Sequence, residues 1–66
     1  MALRVGDRVV AKRRLGGPWD GWVEPGIKGT LTEDRGLFSV RWYVVFDNGV
    51  KVDWVKDDDL TKISGR

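Results

Sequence analysis

The clearest indication of fold class is a strict alternation of apolar and mixed residues over positions 37–46. Side chains two residues apart share one face of a β-strand, and β-branched and aromatic residues favour strands over helices. The alternation therefore predicts a strand with one buried face. That face consists of large apolar side chains, which are Phe38, Val40, Trp42, Val44 and Phe46.

A tight hairpin is predicted directly after this strand. The sequence Asp47-Asn48-Gly49 suits such a turn because Asn and Gly tolerate positive φ angles. In the strand that follows, Val52 and Trp54 alternate with polar residues, so we expect both to face the core. The residues expected to be buried are Val40, Trp42, Val44, Val52, Trp54 and Leu60.

The rest of the chain extends this all-β pattern. Further strands are predicted at 8–13, 27–33, 50–55 and 61–63, with a 3₁₀ turn at 57–59 before the last one. Four glycines and two prolines over 15–26 predict a long irregular loop. We therefore expect one all-β domain over residues 1–66, a small SH3-like barrel of about five strands with a frayed tail at 64–66.

Composition limits how this domain can be stabilised. A chain of 66 residues without Cys or His has no disulfide and no thiolate or imidazole ligand for a metal. Stability must then come from an apolar core, for which four Trp side chains supply large areas. We expect no metal and no cofactor. The absence of Cys fits a reducing compartment, and neither a membrane-spanning run nor a leader is visible, so we expect a cytoplasmic protein without a membrane partner.

The same composition argues against catalysis. His is the commonest general base and Cys an intrinsically strong nucleophile, and the chain has neither. Ser39 and Ser64 have no base nearby in the sequence. The consecutive carboxylates at 57–59 point in different directions, so they predict a solvated, capped turn and not a calcium site. We therefore expect a binding module that is not an enzyme.

Two Trp residues in the long loop are the leading candidates for partner binding. Trp19 and Trp22 lie among glycines and prolines in a segment expected at the surface, where exposed Trp side chains anchor peptides. Tyr43 and Arg41 share the outer face of the strand at 37–46 and would add to an aromatic groove. Alternatively, one of the two Trp side chains folds back over the barrel mouth and completes the core, and Tyr43 takes part in ordinary cross-strand packing. The favoured function is protein or peptide binding.

A second set of candidates is basic. Lys12, Arg13 and Arg14 lead into the loop and Lys28 follows it, so together they would form a rim for the phosphate groups of nucleic acid. Trp19 would then stack on bases. Against this, the formal net charge is only +2, and the acidic run at 57–59 would repel phosphate. Nucleic-acid binding is therefore the alternative function, and these residues are otherwise solvated side chains at a strand end.

Four short segments resemble small SH3-like and Tudor-like modules: VGDRVV at 5–10, PGIKGTL at 25–31, YVVFDNG at 43–49 and DDL at 58–60. Similar spacing occurs in modules of the Mib/Herc2 type and in bacterial and phage SH3-like families. The resemblance implies the barrel fold and an adaptor that binds peptides, modified tails or nucleic acid.

A further segment, GDRVVAK at 6–12 followed by Trp and Gly, is similar to type II dihydrofolate reductases, which are SH3-like chains that work as tetramers. Their pore strand carries Val-Gln-Ile-Tyr, whereas the corresponding strand here is Val52-Asp53-Trp54-Val55. Without the Gln and the Tyr, an oligomeric enzyme of that kind is the least favoured function.

Overall fold

The computed structural model describes residues 3–36 and 41–64, which form antiparallel β structure and one 3₁₀ turn. The predicted all-β class is confirmed. Within these residues, no helix has the length and apolar character needed to cross a bilayer. The elements in chain order are β1 (Arg8–Ala11), β2 (Leu15–Gly17), β3 (Gly21–Val23), β4 (Lys28–Asp34), β5 (Arg41–Phe46), β6 (Lys51–Lys56), the 3₁₀ turn (Asp57–Asp59) and β7 (Leu60–Ser64).

Five of these strands form one sheet, and the other two form a separate hairpin. The order in the sheet is β6-β5-β4-β1-β7, and each neighbouring pair is antiparallel. The hairpin of β2 and β3 lies between β1 and β4 in the sequence. The strands β6 and β7 are the two edges of the sheet, and no pairing between them is found within residues 3–36 and 41–64. A closed barrel, which the sequence predicts, is therefore not found in this part of the chain.

One apolar cluster holds the hairpin to the sheet. Every strand except β2 contributes a buried side chain, and Val23 is the contribution of β3. The predicted burial of Trp42, Val44, Val52 and Leu60 is confirmed. Removing apolar area from water is the main stabilising contribution in so small a domain. The buried members of the cluster are Val9, Ala11, Val23, Leu31, Trp42, Val44, Phe46, Val52, Val55 and Leu60.

The alternation that indicated the fold is observed along β5. Trp42, Val44 and Phe46 are buried, and the residues between them are half-buried. The first four residues of the strand predicted at 37–46 lie outside the described residues. The expected burial of Phe38 and Val40 therefore stays a prediction.

The hairpin turn predicted after β5 is confirmed. Gly49 has a φ angle of 89°, which glycine adopts without strain, and its N–H donates to the Phe46 carbonyl at 3.0 Å. The Asn48 side chain accepts a hydrogen bond from the N–H of Val50 at 3.1 Å. The 3₁₀ turn is observed where the sequence predicts it. The final strand, predicted at 61–63, runs over Leu60–Ser64, so Ser64 belongs to the strand and not to the tail.

The prediction that Trp54 is buried is wrong. Its side chain is 61% exposed, and Val55 is buried instead. Across the β5–β6 pairing, Trp42 is opposite Val55 and Val44 is opposite Val52, so β6 has one more residue between these pairs than β5. This extra residue is a β-bulge, and it reverses which face the following side chains occupy.

The segment 15–26, predicted as an irregular loop, contains the β2–β3 hairpin, so that prediction is wrong. Leu15 pairs with Val23, and Gly16 pairs with Trp22. Gly16 has a φ angle of 89°, and a Cβ atom there would collide with the carbonyl oxygen of Gly21. Gly16, one of the glycines that favour a loop, therefore allows the two strands to approach each other.

Candidate binding surface

Trp19 lies in the turn that joins β2 to β3. The preceding Pro18 suits a turn because its φ angle is fixed and it has no N–H to satisfy. The Trp19 side chain is 96% exposed, so it does not fold back over the core as the alternative interpretation supposed. An indole that is held on a defined hairpin and almost fully exposed is available to a partner.

Trp19 and Tyr43 line one open groove, which we call the first groove. Its volume is about 530 Å³. The structure thus brings together two of the aromatic residues that the sequence analysis singled out, one from the β2–β3 turn and one from β5. The complete lining consists of Trp19, Asp20, Tyr43, Gly49, Lys51 and Asp53.

A set of charged neighbours positions Tyr43 in this groove. The Arg35 guanidinium lies 5.0 Å from the centre of the Tyr43 ring, a distance at which a cation attracts an aromatic face. Arg35 also pairs with Asp53 at 3.3 Å and with Glu33 at 3.0 Å. The Thr32 hydroxyl donates to the Tyr43 carbonyl oxygen at 2.9 Å. Both the backbone and the ring of Tyr43 are therefore held by their surroundings.

The turn at 47–49, which borders the first groove, is fixed from the neighbouring strands. Arg8 on β1 donates two hydrogen bonds to the Asp47 carboxylate, at 2.6 Å and 3.0 Å, and a third to the Thr30 hydroxyl at 2.8 Å. The hydrogen bonds from Arg8 lower the pKa of Asp47 below its ordinary value. Because paired hydrogen bonds of this kind fix orientation as well as distance, Arg8 sets the position of the turn and of Gly49.

A second groove adjoins the first, because Trp19, Asp20 and Asp53 line both. Its volume is about 290 Å³, and Trp54 adds a second indole to its lining. The two grooves together form a continuous surface with three aromatic side chains. The remaining lining residues of the second groove are Leu15, Gly16, Gly17, Val52, Val55 and Asp59.

Trp54 is the residue of this surface that the sequence analysis missed. Its φ angle of 59° lies in the left-handed region, which is rare for a bulky residue. The N–H of Trp54 donates to the Asp53 carboxylate at 2.8 Å. The sequence of β6 carries no signal of this exposure, because Val52 and Val55 share one face only through a bulge that the pairing with β5 defines.

Two of the predicted partner-binding residues lie outside both grooves. Trp22 is 45% exposed, and the Arg14 guanidinium covers its ring at 4.2 Å from the centre. Arg41 is half-buried on β5, where its backbone lies opposite that of Lys56 in the β5–β6 register. Of the four residues predicted for partner binding, the structure brings Trp19 and Tyr43 together, and it does not add Trp22 or Arg41 to them.

Two of the four basic residues predicted for nucleic-acid binding form ion pairs. Arg13 pairs with Asp59 at 3.2 Å, and Arg14 pairs with Glu24 at 3.1 Å. Lys12 and Lys28 are exposed. A phosphate backbone would therefore compete with carboxylates for two of the four cations.

The side chains that line the two grooves are aromatic, aliphatic and charged. Within residues 3–36 and 41–64, no three His, Cys, Asp or Glu side chains are grouped so that they could hold a metal ion. The same part of the chain has no buried side-chain nitrogen or oxygen without a hydrogen-bond partner. The two grooves offer aromatic faces, carboxylates and one ammonium group, that of Lys51.

Comparison of the chain with protein-family models, with curated proteins and with solved structures finds no match. The resemblance of its four short segments to SH3-like and Tudor-like modules stays a prediction. The geometry of the two grooves is therefore the basis on which a function can be proposed.

Proposed function

We propose that this chain is a non-enzymatic binding module that takes an extended peptide segment of a partner protein in the first groove. The observation that carries the proposal is the position of Trp19, which is 96% exposed in a hairpin turn and lines a groove together with Tyr43. Exposed apolar surface that is shared by several neighbouring side chains marks interaction sites, and Trp19 shares one groove with Tyr43 and another with Trp54. The peptide would cover the Trp19 indole, so that the indole would pack against the peptide and lose its contacts with water.

The energy available from covering Trp19 is substantial. A Trp side chain presents roughly 150–250 Å² of surface, so its burial contributes about 4–6 kcal/mol before the costs of association. Ordering the peptide and losing its translational freedom offset part of this. A central Trp that packs against a partner typically costs at least ~2 kcal/mol of binding energy when it is truncated. Trp19 is therefore expected to dominate the affinity.

The shape and polarity of the first groove favour a peptide. The groove is open to solvent, and its aromatic residues suit an extended chain, whose side chains and prolines pack on Trp and Tyr rings. Lys51, Asp20 and Asp53 line it, so it offers one cation and two anions to the peptide's polar groups. Nucleic acid is less well matched, because Asp20 and Asp53 would lie against its phosphates.

The framework that we propose for this module is SH3-like. The order of elements supports it, since a hairpin follows the first strand and a 3₁₀ turn precedes the last one. The five-stranded antiparallel sheet and a core shared by sheet and hairpin agree with that architecture. Such frameworks host many functions, so the proposed function depends on the grooves and not on the framework.

The test is selection from a random peptide library displayed on phage, with the purified chain immobilised. Peptides that bind the wild-type chain are then titrated against Trp19→Ala and against Trp22→Ala, a matched control that removes an indole from outside both grooves. Trp19→Ala should weaken binding by about 30-fold or more, the size expected for a central Trp, and Trp22→Ala should leave it within about threefold. Failure to select any peptide, or equal binding by wild type and Trp19→Ala, would refute the proposal.

A further inference from the structure

We propose that the second groove takes a cationic side chain, lysine or arginine, of the bound peptide and that Asp20 supplies the counter-charge. This inference rests on the proposed peptide-binding function and specifies its ligand. It assigns to the peptide a basic residue close to the segment held in the first groove. The reason for that proximity is that Trp19, Asp20 and Asp53 line both grooves.

The apolar part of the second groove fits the body of such a side chain. Two exposed indoles, those of Trp19 and Trp54, line it together with Leu15. Lysine and arginine carry long apolar stems that pack along apolar surface while the charged head stays at its edge. The faces of Trp rings also attract cations more strongly than those of other aromatic residues.

The charges that line the second groove select a cation over a neutral or acidic group. Its charged lining residues are Asp20, Asp53 and Asp59, and within the described residues no lysine or arginine lines it. Asp53 is paired with Arg35 and Asp59 with Arg13. Within residues 3–36 and 41–64, Asp20 forms no ion pair, so its carboxylate is available to a ligand.

The backbone at Trp54 provides supporting evidence. Glycine or asparagine would occupy its left-handed conformation at lower cost than Trp does. Strained residues of this kind persist where the surrounding contacts hold them in place, and they are concentrated at binding sites. The bulge at this position turns an indole out of the core and into the lining of the groove.

The test uses two small probes that differ in charge. N-acetyl-arginine amide is titrated into ¹⁵N-labelled full-length chain, and N-acetyl-citrulline amide, its neutral analogue of the same shape, is titrated in parallel. The arginine probe should shift the indole N–H signals of Trp19 and Trp54 in a saturable way, and it should leave those of Trp22 and Trp42 unchanged. Equal shifts from both probes, or no saturable shift at Trp54, would overturn the inference.

A pair of variants identifies the counter-charge. Asp20→Asn should weaken binding of the arginine probe by about two- to fivefold, the range for an exposed charge contact. Asp58→Asn makes the same change in net charge at an exposed residue that lines neither groove, so it should leave the affinity unchanged. Equal weakening by the two variants would mean that the chain attracts the probe through its overall field, and the assignment of Asp20 would be wrong.

The library selection separates failure of this inference from failure of the proposed function. Selected peptides should be enriched in lysine or arginine, and selection on Asp20→Asn should lose that enrichment. Peptides that bind through Trp19 without basic residues would refute the inference and leave the proposed function intact. Binding of the arginine probe without any peptide binding would refute the proposed function and leave a cation site in the second groove.

Discussion

Replacing Trp54 by glycine and by alanine should reverse the usual order of stability for these two residues in a strand. Both variants remove the whole indole, so they lose nearly the same packing. About two-fifths of the Trp54 side chain is buried in the wild type. That loss corresponds to ~100 Å² and about 2.5 kcal/mol in each case. The difference in the free energy of unfolding between the two variants therefore reports the cost of the backbone conformation at residue 54.

The magnitude follows from the φ angle of 59° at Trp54. An L-residue in the left-handed region costs ~1–2 kcal/mol, which alanine incurs and glycine does not. Glycine lowers the free energy of unfolding by ~0.4–1 kcal/mol, because it has greater conformational freedom than alanine in the unfolded chain. Trp54→Gly should therefore be more stable than Trp54→Ala by about 0.5–1 kcal/mol, which corresponds to ~2–8 °C in melting temperature for a domain of this size.

The assay is thermal unfolding followed by far-UV circular dichroism, with urea unfolding as a second measure. Lys51 is the matched control, because it is exposed on the same strand, and its φ angle is not positive. There, Lys51→Gly should be less stable than Lys51→Ala by about 0.5–1 kcal/mol, the ordinary order. If Trp54→Ala is as stable as Trp54→Gly while the control shows the ordinary order, residue 54 does not occupy the left-handed region.

Three further predictions concern the core, the dependence on pH and nucleic acid. Trp42→Ala should cost ~3–5 kcal/mol, since Trp42 is 3% exposed; an unchanged melting temperature would contradict its burial. Because the pKa of Asp47 is lower in the folded chain than its ordinary value of 3.8, the unfolded chain binds more protons as the pH falls. The stability that Asp47 contributes should thus be present above that value and lost below it, and urea unfolding of Asp47→Asn should show a smaller loss between pH 5 and pH 2. Duplex DNA titrated at two salt concentrations should bind weakly or not at all. Tight binding with a log–log salt slope of about −4, most of which is lost when Lys12, Arg13 and Arg14 are neutralised, would support the nucleic-acid alternative instead.

The parts of the fold that could be predicted from the sequence depend on local chemistry. The period-two pattern through Trp42, Val44 and Phe46 required a strand with one buried face. The turn at 47–49 followed from the tolerance of Asn and Gly for positive φ angles. Both features depend on neighbouring residues alone, so tertiary context did not alter them.

The parts that could not be predicted depend on pairing between segments. The bulge that exposes Trp54 becomes evident only when β6 is aligned with β5, because the sequence of β6 alone also allows regular alternation. The glycines of β2 looked like loop residues, yet Gly16 is the residue that permits the close approach to β3. Closure of the sheet into a barrel is a property of strand order, which local patterns do not determine.

The candidate site was predictable in its residue types and not in its grouping. Trp19 and Tyr43 were identified because large aromatic residues at a turn and on an outer strand face are costly to leave exposed. Proximity in the sequence places Trp22 with them, but in the structure the Arg14 guanidinium covers its ring. Ion pairs such as Arg13 with Asp59 join residues far apart in the chain, so the basic rim could not be recognised as partly neutralised.

The most direct test of the peptide-binding proposal is a chemical-shift map of the ¹⁵N-labelled chain titrated with one peptide selected from the library. The Trp19 indole N–H and the backbone N–H groups of Tyr43, Gly49 and Lys51 should show the largest changes, because these residues line the first groove. Lys12 should change little. Changes concentrated at the basic residues 12–14, with the Trp19 indole signal unmoved, would show that the first groove does not bind the peptide.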